Sequence, residues 1–319
     1  MEGRACDRGD LMLTDNPHYQ ASARAIRELH RLLHEGLDDS DEADRIRDES
    51  DKHWWPLSAN EIDSLQNLSA DLYTIGNESH QENEVSGRDE SNVGQQIREA
   101  LTSGDHSQVV RLLKQSPSEV SPQAASCFRS FYWMAQDDFE SDLLFMDEAI
   151  RLDPENVVFL TFRLILLWSL NDNRSYSEAV SLLENPRLLD LDASIQVATI
   201  LVLSAYDRMV QRGNLLEGLE VEERTAIDRA TERLQNVLGG NRGTDRRPTP
   251  TFERIGHQIV SLSHWLQAEV TGFISERATT SDANDQTLRS SVHLLNEMVV
   301  TVRQSSKKVF VDQFTRLAA

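Results

Sequence analysis

Apolar residues in this chain recur at three- and four-residue spacing, the period of helices that bury one face. Residues 18–35 carry Ile26, Leu29 and Leu33 on one stripe, and predict a first helix. A second follows the acidic start at Asp38–Asp44, with Ala43, Ile46 and Ser50 to Trp54 on one side. Pro56 stops it. Ser58 and Glu61 then form the pattern of a capping box, in which a hydroxyl and a carboxylate each accept from a free N–H. Leu57 and Ile62 stand where a hydrophobic staple closes, and Ile62, Leu65, Leu68 and Leu72 continue the stripe of a third helix.

Residues 76–92 hold one apolar side chain, Val85, among Gly, Ser, Asn and acids. Such a segment cannot offset its ordering entropy by burial, so it reads as a linker. Beyond it the helices come in pairs: 93–115, 122–152 and 154–184. Ser121 caps one helix with Pro122 in its first turn, and Asp153 with Pro154 repeats the pattern. Ser175 and Glu178 suggest another capping box. Further helices are expected at 193–212, 221–238, 252–274 and 286–304, with a loop over 239–251. No run alternates with the period of a strand. The expectation is an all-α chain: an acidic helical region at 1–75, a linker at 76–92, repeats at 93–190 and a helical region at 191–319.

Gln123–Asn156 resembles the tetratricopeptide repeat. Phe139, Ala149 and Pro154 carry the resemblance in the second helix of the pair, at the family's spacing. Asp142 stands where a small residue is usual, and Met146 where an aromatic is. Arg129, and Arg163 one repeat later, replace residues that are normally apolar. The resemblance implies helix–turn–helix repeats stacked as a solenoid, because one such pair cannot bury its apolar face alone. It also implies binding of a protein or peptide partner, not catalysis. Carried onto this chain, the groove positions are Ala124, Cys127, Phe131 and Met134, then Val158, Thr161, Ile165 and Trp168. Phe131, Met134, Thr161, Ile165 and Trp168 are the candidate partner-binding residues. None is basic or an amide, which disfavours a clamp on a C-terminal carboxylate. Either the groove takes an apolar peptide, or the chain's own terminal helices close over it and open on binding.

Charge sharpens this reading. The net charge is −21, and residues 1–92 hold 9 Lys+Arg against 22 Asp+Glu, or −13, leaving −8 for the rest. An acidic chain repels phosphate backbones and anionic lipid, so neither nucleic acid nor membrane is expected as a partner. Two isolated cysteines, Cys6 and Cys127, make no disulfide framework and suit a reducing, cytoplasmic setting. Cys127 reads as core. The first residues lack the apolar core of a signal peptide, and the most apolar run, 159–170, is too short to span a bilayer.

Candidate chemistry is sparse. His30 and His34 stand one helical turn apart, but Arg31 occupies the position a zinc-protease pattern gives to glutamate. Eight acids crowd Asp38–Asp51, yet Asp44 and Ser50 stand where a calcium loop needs Gly and Glu. The run reads as a solvated acidic helix face, with a basic partner as the functional alternative. Arg242, Arg246 and Arg247 form a basic loop suited to an acidic segment or to solubility. Trp54, Trp55 and Trp168 read as core aromatics. No residue is assigned to catalysis, a cofactor or a metal.

Overall fold

The computed structural model describes residues 16–76, 92–103, 105–115, 119–185, 188, 190–212, 219–239, 247–277, 297–304, 306 and 309. Residues 77–91, most of the expected linker, lie outside them, as do Arg242 and Arg246. The described residues hold helices and turns and no strand. The chain divides into two compact units between Pro154 and Glu155. That boundary falls inside 93–190.

The first unit contains α1 (Pro17–His34), α2 (Asp41–Trp54), α3 (Ala59–Leu72), α4 (Asn92–Ser103), α5 (His106–Gln115), α6 (Pro122–Ala135) and α7 (Phe139–Leu152). α1 packs on both α2 and α3, and α4 and α5 pack on each other and on α6. Each early helix starts on a capping side chain that satisfies an otherwise orphaned N–H. Asn16, Ser40 and Ser58 serve α1, α2 and α3, and Ser58 and Glu61 complete the expected capping box. The stripe on α1 differs from expectation. Tyr19, Ser22, Ala23 and Leu32 are buried, Ile26 and Leu29 half-buried, and Leu33 exposed. The stripe turned because Tyr19 reaches α3, where its hydroxyl sits 3.0 Å from that of Ser64.

The helix hairpins share one turn. After α6, the N–H of Asp138 donates to the carbonyl of Trp133 (3.0 Å) and that of Asp137 to Met134 (2.9 Å). After α8 (Val157–Ser169), Asp172 donates to Leu167 (2.9 Å) and Asn171 to Trp168 (3.1 Å). Asp137 and Asn171 take φ of 58° and 54°, the left-handed conformation that closes a helix end. Between α4 and α5, Asp105 donates to the carbonyl of Ala100 at 2.8 Å. At Asp105 and Asp138 the aspartate then caps the next helix, while Asp172 lies one residue before the N-cap, Asn173. Asp105 Oδ1 accepts from Gln108 N, Asp138 Oδ1 from Ser141 N and Asp172 Oδ1 from Arg174 N.

Two expected caps are corrected. Asp153 closes α7 instead of opening α8, whose cap is Asn156, accepting from Val158 N and Phe159 N. Asn156 wins because Pro154 and Glu155 form a turn that delays the helix. Ser175 and Glu178 form no capping box. α9 (Arg174–Leu183) begins two residues before the expected Tyr176, Ser175 is buried against the hydroxyl of Ser204 at 3.0 Å, and Glu178 pairs with Arg163.

The second unit is built around α10 (Leu191–Gln211), with α8, α9 and α12 (Pro250–Arg277) against it, and α11 (Val221–Leu238) between α10 and α12. Its buried residues run unbroken from Ser194 to Tyr206, Ile195, Val197, Ile200, Leu201, Val202 and Leu203 among them, and so cover every side of the helix. A helix apolar all round is stable only when enclosed. At its end, the buried Glu223 of α11 accepts from Arg212 at 2.7 and 2.6 Å and from Arg208 at 3.2 Å. Residues 297–304 are also helical. No described helix is long and apolar enough to cross a membrane.

Candidate functional site

The five residues expected to line a groove lie on two helices, one in each unit. Phe131 and Met134 are on α6, and Thr161, Ile165 and Trp168 on α8. Phe131, Thr161, Ile165 and Trp168 are buried, and Met134 is half-buried. Packing within each unit accounts for this: α6 lies against α7, and α8 against α9 and α10. Val158, by contrast, is 52% exposed. Cys127 is buried, and burial pushes its thiol pKa up. That disfavours the thiolate, the reactive form.

The residues that departed from the repeat pattern have local partners. Arg129 Nε donates to Asp71 Oδ1 on α3 at 3.3 Å, with both side chains almost out of water. Burial raises the Asp71 pKa, and Arg129 opposes that rise. In the other unit Arg163 pairs with Glu178. Asp142 is fully buried. Its Oδ1 accepts from Ser130, while its Oδ2 has no hydrogen-bond partner among the described residues. Burial pushes its pKa well up, favouring the neutral acid. Nearby, Arg27 of α1 donates to both oxygens of Asp138 (3.0 and 3.1 Å) and to Ser141 Oγ (3.0 Å). These groups bind helices together, and their carboxylates face protein instead of a cleft.

His30 and His34 do converge, with Nε2 atoms 2.8 Å apart. Burial, then the neighbouring His34, lowers the His30 pKa to about 4. No group of three side chains placed to hold a metal occurs among the described residues. A second pair, His18 and His53, joins α1 to α2 with Nδ1 atoms 3.1 Å apart.

A concavity lies elsewhere, between α1 and α2. A cleft of about 280 Å³ runs between Ala21, Ala25 and Glu28 on one side and Ile46, Glu49 and Ser50 on the other. Ala21, Ala25 and Ile46 are half-buried and form its apolar floor. Arg24 and His53 complete the walls. Of the acidic run of α2, Glu49 lines the cleft, while Asp41, Asp44, Asp48 and Asp51 fall on the opposite side of the helix. Asp41, Glu42, Asp44, Asp48, Glu49 and Asp51 are all exposed. Only Glu42 and Asp44 pair with cations among the described residues, through Arg45 at 3.6 Å and Arg47 at 2.8 Å. At the end of α2, Trp55 is 90% exposed, while Trp54 is half-buried.

No protein-family model matches the chain, and neither the curated proteins nor the solved structures include a detectable match. The site therefore rests on its own geometry.

The reading of the sequence reached the acidic face of α2 and not the cleft beside it. The cleft is written in the chain as two stripes. Ala21, Arg24, Ala25 and Glu28 share one face of α1, and Ile46, Glu49, Ser50 and His53 one face of α2. Each steps by three, four and seven, the spacing of one helix face. Small residues such as alanine give little hydrophobic signal, so the stripe on α1 was overshadowed by Ile26, Leu29 and Leu33.

Proposed function

We propose that this chain is a non-enzymatic interaction module built on tetratricopeptide-like helix hairpins, and that it binds another protein or peptide. The recurrence of one turn carries the reading. Its aspartates stand at 105, 138 and 172, each closing one helix, and the first two also cap the next. A hairpin repeated at this interval, about 34 residues, is the signature of units that bury their faces against neighbours. Several buried ionisable groups support a structural rather than catalytic role. Asp71, Asp138, Glu148 and Glu223 each accept from an arginine of the same unit.

A second reading has its own support: regulated opening. Phe131, Thr161, Ile165 and Trp168 are already buried, so a ligand for those faces must displace helices that cover them. The test of the interaction reading is affinity capture of the full chain from cells that make it, followed by rebinding of each purified candidate. At least one protein is expected to rebind saturably. Recovery of none that does so overturns the reading.

A further inference from the structure

We propose that His30 and His34, in the last turn of α1, form a two-point chelate for a divalent transition-metal ion that takes ligands at right angles, of the nickel and copper class. The spacing of the rings carries the inference. Their Nε2 atoms stand 2.8 Å apart, and the ring planes meet at 80°. An ion bound by imidazole nitrogens lies about 2.0–2.1 Å from each. Two nitrogens at right angles around it are then about 2.8–3.0 Å apart, and two at the tetrahedral angle about 3.3–3.4 Å. The observed spacing is that of neighbouring corners of a square or an octahedron. Imidazoles so placed suit Ni²⁺ and Cu²⁺, whereas Zn²⁺ takes the tetrahedron. Two protein ligands leave the remaining positions to water.

The surroundings hold the pair in place. The His34 ring lies against Gly76, where an added Cβ would come within 3.0 Å of its Cε1. Gly76 has φ 72°, a conformation open to glycine, and its N–H donates to Glu148 Oε1 of α7 at 3.2 Å. Glu148 is itself buried and accepts from Arg151. α7 thus fixes Gly76, and Gly76 leaves room for the ring. On the other side Tyr73 stands edge-on to His30, with centroids 5.7 Å apart. Charge also favours a cation here. The last turn of a helix carries the negative end of its macrodipole. Arg31, the nearest cation in sequence, is engaged by both Glu28 and Glu35. His34 is exposed and His30 half-buried, so an ion reaches the pair from solvent. The chelate is independent of the interaction reading above.

The probe is NiCl₂, titrated calorimetrically into the full chain at neutral pH, with ZnCl₂ and MgCl₂ in parallel. Saturable binding of Ni²⁺ is expected, with weaker binding of Zn²⁺ and none of Mg²⁺, which prefers oxygen ligands. His30→Ala and His34→Ala each remove one corner of the chelate and are expected to weaken nickel about tenfold or more. Gly76→Ala, which pushes on the His34 ring, is expected to weaken it as well. Urea unfolding without metal checks that each variant folds. Cu²⁺ on the unaltered chain is expected to show two coupled nitrogens in its electron paramagnetic resonance spectrum, and one in His34→Ala. Absence of saturable nickel binding overturns the proposal and leaves the pair as a hydrogen bond between two rings. Unchanged nickel affinity of a folded His34→Ala protein overturns it. So does a loss confined to His53→Ala, which places the ion on His18 and His53, the pair whose Nδ1 atoms are 3.1 Å apart. Zinc bound more tightly than nickel overturns the right-angle geometry.

Discussion

Arg129 stands where the resemblance to a tetratricopeptide repeat led us to expect an apolar residue, and its replacement by methionine tests why it is there. Arg129→Met keeps most of the stem and removes the guanidinium from Asp71, which is 6% exposed. Breaking a buried pair from one side leaves an uncompensated charge, at a cost of about 3–5 kcal/mol. That is a large part of the roughly 5–15 kcal/mol that holds a typical domain together. Replacing both partners, Asp71→Asn with Arg129→Met, is expected to recover much of the loss, with a coupling energy of about 1–3 kcal/mol. The pH dependence follows from Asp71. Its pKa is raised by burial even with Arg129 in place, and removing the arginine raises it further. A carboxyl raised in the folded state is protonated there before it is protonated in the unfolded chain. Its unfavourable contribution is therefore absent in acid and grows as pH climbs from the unfolded value through the folded one. The loss caused by Arg129→Met is expected to be full near neutrality and to shrink toward about pH 4. Urea unfolding of the four proteins at several pH values measures both quantities. A loss independent of pH, or a coupling within about 0.5 kcal/mol of zero, refutes the buried pair as the reason for Arg129.

Asp142 makes a related prediction. Its pKa is raised by burial, so Asp142→Asn, which keeps a neutral acceptor for Ser130, is expected to raise the urea midpoint at neutral pH and to lose that advantage in acid. A destabilised variant at neutral pH counts against a neutral Asp142. The shared turn predicts that Asp137→Gly and Asn171→Gly are tolerated, changing stability by less than about 1 kcal/mol, because glycine takes the left-handed conformation without strain. Val at the same positions is expected to cost more, and equal thermal midpoints for Gly and Val refute the turn geometry.

The local part of this fold was legible in the chain. The capping box at Ser58 and Glu61, the cap at Ser121 and the pairing of α6 with α7 follow from chemistry acting over a few residues, which the sequence states directly. The same local reading went astray where distant residues compete. Ser175 has the composition of a cap, but Ser204 on α10 takes its hydroxyl. Leu33 is apolar and exposed, while Ser22 of the same helix is buried, because the position of α3 decides which face of α1 is covered. Arg129 looked like a breach of the repeat pattern, and Asp71, 58 residues away, makes it a core pair. The cleft between α1 and α2 needs both helices in register before its floor exists. By itself the sequence determined helix type, end signals and charge, which depend on neighbours in the chain. Burial and pairing were left to the tertiary structure, because they depend on which surfaces meet.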